Sequence, residues 1–170
     1  DEINRGNMSK IFGELLMLIE ADYRDKKATL AYNGLSFSVP KRLHIIGMMN
    51  TADRSLAMID YALRRRFSFF DMEPGFDSEG FINYQNSFAN ETFNTLIERI
   101  KELNKEIAQD KALGKGFCIG HSYFCNVNDC AEEWMKDVVD FDILPMLSEY
   151  WFDESSKLQR WENILHGVFQ

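Results

Sequence analysis

Asp1 and Glu2, Asn50, and the run Arg64, Arg65 and Arg66 are the residues whose types and positions suit chemistry on a polyphosphate. Two adjacent carboxylates at the C-terminal tip of a strand in an α/β sheet stand where ligands bind in such sheets. In a phosphoryl-transfer site, one acid of such a pair holds Mg2+ while its neighbour orients or deprotonates a water. A solvated acidic chain start accounts for the same dipeptide. Asn50 ends the apolar run inside "HIIGMMNTADRS", residues 44–55, and its carboxamide can hold a water or a phosphate oxygen because it both donates and accepts. Asn, Thr, Asp and Ser also cap helices, and local pattern divides evenly between a site and capping by Asp53 or Ser55. Three successive arginines read equally as solvated charge or as cations projected into a neighbouring subunit's nucleotide site. An arginine in that second role contributes roughly 10³ to 10⁵ in rate.

Cys118, His121, Cys125 and Cys130 carry the ligand types of a zinc site. Their spacing departs from paired CxxC knuckles, and the flanking Ile119, Tyr123 and Phe124 point to packing instead. His121 then serves as a satisfied histidine, and Gly114, Gly116 and Gly120 serve tight turns. His44 and His166 carry no signal of their own.

The elements that must position these groups follow from periodicity. Met8, Ile11, Phe12, Leu15, Leu16 and Ile19 share one face at helical spacing, which predicts a helix over 8–19 with Asn7 or Ser9 as its cap. Residues 28–39 alternate around Asn33-Gly34, predicting a β-hairpin with a type I′ turn, closed by Pro40. "RLHIIGMM", residues 42–49, is a short continuous apolar run, as expected of a central strand covered on both faces. "SLAMIDYALRRRF" predicts a short helix leading into a second strand, "FSFFDM", which Pro74-Gly75 terminates. Beyond it only helices are predicted. Phe93, Leu96, Ile97, Ile100, Leu103 and Ile107 mark one, Leu158, Trp161, Leu165 and Val168 another, and Pro145 must kink or divide a helical stretch over 132–151. The chain therefore reads as an α/β portion over 1–74 and an all-helical portion over 75–170.

The 170 residues are 45% hydrophobic and 14% aromatic, enough for one ordinary domain or two small ones with true cores. A formal charge of −8 argues against a grip on DNA or an anionic membrane through bulk electrostatics, so nucleic-acid contact must come from a local patch or from elsewhere. The three cysteines, with no signal peptide, predict a cytoplasmic setting. The most apolar stretch, "IFGELLMLIEA", is too short to span a bilayer and carries Glu14 and Glu20, which predicts no membrane association. The opening "DEINRGN" looks like the end of a strand whose body is missing, as in a fragment.

In order along the chain, "DEINRGNMSKIFGELL", "MMNTADRS", "DYALRRRF" and "LGKGFCIGHSYF" resemble the AAA+ module of the McrB family, the nucleotide-hydrolysing subunit of modified-cytosine-dependent restriction systems. The likeness covers nearly the whole chain. It implies an α/β fold: the later part of a P-loop NTPase core, with the Walker B end, the sensor strand, the arginine-finger region and a β-hairpin insertion, followed by a helical lid from about residue 77. By this resemblance Asp1 binds Mg2+ through water and Glu2 activates the attacking water. Asn50 positions that water or senses the γ-phosphate. Asp53 and Arg54 match the signature loop, where they organise the water or link adjoining subunits, and Arg65 and Arg66 act in trans on a neighbour's nucleotide. The implied nucleotide is GTP rather than ATP, and the implied partners are further copies in a ring, expected to be a hexamer, a McrC-like endonuclease subunit, and DNA through the full-length assembly.

The phosphate-cradling GxxxxGK[ST] loop does not occur in these 170 residues, which predicts that the chain alone binds nucleotide poorly and does not hydrolyse it. Two other readings compete with the restriction motor: a MoxR-like or dynein-related remodelling ATPase, and a nonenzymatic module that keeps the AAA+ shape for assembly.

Overall fold

The computed structural model describes residues 1–50, 52, 64–125 and 127–170. The chain forms two compact units, Asp1–Asp71 and Met72–Gln170.

In the first unit, the stretch expected as one helix is two, α1 (Met8–Phe12) and α2 (Leu15–Leu18). Gly13 parts them at φ 48°, ψ −127°, a backbone conformation that glycine tolerates and no α-helix continues through. Asn7 caps α1, its Oδ1 accepting from the Lys10 N–H at 2.9 Å. The hairpin pairs β1 (Ala28–Thr29) with β2 (Ser36–Phe37), Ala28 opposite Phe37 and Thr29 opposite Ser36. Its turn is not the expected type I′, which needs two successive residues at positive φ. Leu30 donates to the Leu35 carbonyl at 2.9 Å across a loop over 31–34, and there only Gly34, at φ 69°, is left-handed. Asn33 contributes through its side chain instead, accepting from the Leu35 N–H at 3.0 Å. Arg24 ties the chain down after the hairpin by donating to the carbonyls of Ile19 at 2.9 Å and of Pro40 and Leu43 at 3.2 Å.

The two further strands expected over 42–49 and 67–72 are not formed. Residues 42–49 and 67–72 have no strand assignment, and Ile46, Phe70 and Met72 are 88–89% exposed. A strand is defined by its ladder, and the backbone bond recorded to 42–49 from elsewhere in the described residues is the one from Ile3 to Met48. An apolar run announces burial, not a partner. Most of the helix expected over "SLAMIDYALRRRF", with Asp53 and Arg54, lies outside the described residues.

The second unit holds most of the buried core. Here α3 (Glu79–Ser87) precedes the long α4 (Glu91–Gln109), in which Phe93, Leu96, Ile97, Ile100, Leu103 and Ile107 are all buried, as their spacing requires. Asn90 caps α4 by accepting from Phe93 N–H at 3.0 Å, and its amide donates to the Cys130 carbonyl at the same distance. Then come α5 (Glu132–Asp137), a π-helical turn over Val138–Ile143, α6 (Leu144–Tyr150) and α7 (Ser155–His166). The stretch is divided, as expected, with Pro145 in the first turn of α6 directly after the π-helical turn. The wide turn just before it shifts the carbonyls against which the ring of a mid-helix proline would press.

Polar clamps close the unit. Asp110, just after α4, accepts from Lys157 Nζ at 2.6 Å, Ala112 N–H at 2.8 Å and Trp151 Nε1 at 3.1 Å. These donors, Lys157 foremost, hold its carboxyl down at about 2. Among the described residues no helix is long and apolar enough to cross a membrane.

Candidate functional site

Within the first unit the acidic turn and the segment ending in Asn50 are joined side by side. Ile3 N–H donates to the Met48 carbonyl at 3.0 Å, and Asn4 Nδ2 donates to the Asn50 carbonyl at 2.9 Å. Ile3 also packs against Gly47, where an added Cβ would lie 2.7 Å from Ile3 Cδ1. Ile3–Arg5 form a single 3₁₀ turn, and Glu2 enters it at φ 53°, a left-handed conformation uncommon for a residue with a side chain. Asp1 is exposed, its carboxylate accepting from the Glu2 N–H at 2.9 Å, and the half-buried Glu2 pairs with Arg5 at 3.1 Å.

The Asn50 carboxamide is already half committed. Its Oδ1 accepts from the Ala52 N–H at 3.0 Å, which fixes which end of the amide is oxygen and leaves Nδ2 as the group able to act on an external atom. Such a donor suits a water or phosphate oxygen. The same bond is a local Asx-type turn contact, and the caps expected at Asp53 or Ser55 lie outside the described residues.

Asn4 gave no sequence signal. It is the buried polar residue of the described chain, 7% exposed, and its Oδ1 is enclosed without a hydrogen-bond partner. The only pointer in the sequence is a carboxamide two positions past the acids, which reads as readily as a turn residue.

The arginines separate by environment. Arg64 and Arg65 are exposed, whereas Arg66 is drawn in and paired with Glu20. Arg65 and Arg66 line a depression together with Glu20, Arg24, Lys41 and His44.

The four candidate zinc ligands do not gather: among the described residues no group of three or more His, Cys, Asp or Glu could hold a metal ion. His121 accepts from the Gly75 N–H through Nδ1 at 3.0 Å and stands edge-on to Phe76 and Phe81, a packing histidine. Cys118 donates to the Asn104 carbonyl and Cys125 to that of His121. Burial raises all three thiols, Cys130 to about 11, so they are not thiolates at neutral pH. Of the glycines assigned to turns there, Gly114 has the diagnostic positive φ, 88°.

Comparison with known proteins defines the class first. Residues 1–67 match the model of the AAA domain (dynein-related subfamily), and residues 95–159 match that of the McrB alpha-helical lid domain. An AAA domain followed by a helical lid is therefore the architecture. The chain is 50% identical, over 98% of its length, to the type IV methyl-directed restriction enzyme EcoKMcrB subunit of Escherichia coli K12. It belongs to the McrB family of AAA+ proteins. A second relative, the type II restriction enzyme BsuMI component YdiS of Bacillus subtilis 168, is 33% identical over 43% of the chain. The chain spans 39% of the length of the first relative and 25% of the second.

Proposed function

We propose that this chain forms the hydrolytic part of the nucleotide site in the motor subunit of a McrBC-like modified-DNA restriction system. The observation that supports this reading is the pair of bonds, Ile3 to Met48 and Asn4 to Asn50, that ties the turn carrying Asp1 and Glu2 to the segment ending in Asn50. These side chains suit a magnesium-bound triphosphate, which when bound would supply a polarised γ-phosphorus for a solvent water to attack, with the nucleoside diphosphate as leaving group. Asp1 would hold Mg2+ through water. Glu2 takes the proton of the attacking water, and Asn50 Nδ2 fixes the oxygen it faces. Asp53 and Arg54 link adjoining subunits or organise the water. Arg65 is the better candidate to act in trans, because Arg66 is held by Glu20 in its own chain.

The nucleotide is GTP in preference to ATP, and the working assembly is a cytoplasmic ring, a hexamer, that couples hydrolysis to DNA translocation and cleavage with a McrC-like endonuclease subunit. In the full-length protein, Glu2→Gln should abolish GTP turnover while Mg2+-dependent GTP binding persists, measured by phosphate release and by equilibrium binding. Unchanged turnover would remove Glu2 from the mechanism.

The match to a dynein-related AAA model favours one second reading, a remodelling ATPase without a restriction role. A nuclease-subunit gene adjoining this one separates the two, since only the restriction motor requires it.

A further inference from the structure

Asn4 lies outside the carboxylate pair and the sensor amide, yet it is the residue that connects them. Its side chain is more than nine-tenths buried, its Nδ2 donates to the Asn50 carbonyl at 2.9 Å, and its Oδ1 is enclosed with no partner. A buried carboxamide with one end unsatisfied is a poor choice for stability alone, because an apolar side chain would leave no orphaned acceptor. The bond it does make falls on the main chain of Asn50, whose side chain is oriented in turn by the Ala52 N–H.

We infer that Asn4 is a positioning residue: it locks the main chain of Asn50 to the turn carrying Asp1 and Glu2, so that the amide donor and the carboxylates keep one fixed separation during hydrolysis. The inference rests on the function proposed above and adds a residue to it. Misplacing a reacting group by about 1 Å can lower turnover about 100-fold while binding energy gathered elsewhere is kept.

The test uses the full-length protein with Mg2+ and GTP. Asn4→Asp keeps the shape but replaces the donor by an oxygen facing the Asn50 carbonyl. It should lower kcat by about 10- to 100-fold with nucleotide affinity changed less than about threefold. Asn4→Ala is measured in the same way and serves if the aspartate variant does not fold. Combining either change with Asn50→Ala should give a double variant no slower than Asn50→Ala alone, because Asn4 acts through Asn50. Multiplying losses, or an Asn4 effect confined to thermal stability, would overturn the inference while leaving the proposed site intact. If Asn50→Ala itself turns over GTP normally, the underlying site is wrong and the inference falls with it.

Discussion

At the scale of residues, the candidate site depends on which atoms of each side chain are already engaged. Asn50 has its oxygen occupied by Ala52 and its nitrogen available, so Asn50→Ala in the full-length protein should cost turnover far more than affinity, about 10²- to 10³-fold in kcat, as for loss of one preorganised donor. Phosphate release set against GTP affinity measures this, and equal losses in both would mark Asn50 as a binding group only. The arginines call for subunit mixing. Arg65→Ala subunits should fail to activate a wild-type neighbour yet be activated by one, whereas Arg66→Ala should also disturb its own fold through Glu20. The carboxylates, Asn50 and the arginines stand out as candidates from residue type and order alone. Asn4 was not, because burial of a single carboxamide within "DEINRGN" leaves no periodic trace.

At the scale of elements, long regular segments declared themselves and short or partner-dependent ones did not. The six apolar positions of α4 repeat over about four turns and all are buried. By contrast, the break at Gly13 depends on one φ choice, and the apolar runs over 42–49 and 67–72 were read as strands although pairing is a property of two segments. The lid's elements are fastened by Asp110, whose carboxyl is held near 2 against an ordinary 3.8. A depressed carboxyl stabilises the fold above its unfolded pKa, so this contribution is complete at neutral pH and fades as the pH falls from about 4 to about 2. Solvent screening keeps its size below the roughly 2.4 kcal/mol that the full shift would give. Asp110→Asn should therefore lower the urea midpoint at pH 7 and flatten the acid limb below pH 4, followed through Trp151 fluorescence. An unaltered pH profile would show that the clamp contributes nothing. Gly114→Ala, at φ 88°, should destabilise by about 1 kcal/mol in the same assay.

At the scale of the whole molecule, the family match spans an AAA domain and a helical lid, and the two compact units bury their residues very differently. The second unit encloses a continuous aromatic and aliphatic core, while the first leaves Ile46 and Phe70 in solvent. Since these 170 residues contain no phosphate-cradling loop, the isolated chain should release no phosphate from GTP above a Glu2→Gln control. The central claim, that the acidic turn and the Asn50 amide face one magnesium-bound triphosphate, is tested most directly by a structure of the full-length assembly with Mg2+ and a non-hydrolysable GTP analogue. The account predicts Asp1 in the water shell of the metal and Asn50 Nδ2 within about 3 Å of a γ-phosphate oxygen or the attacking water. Asn50 turned from the nucleotide, or Asp1 and Asn50 on opposite sides of it, would contradict the account.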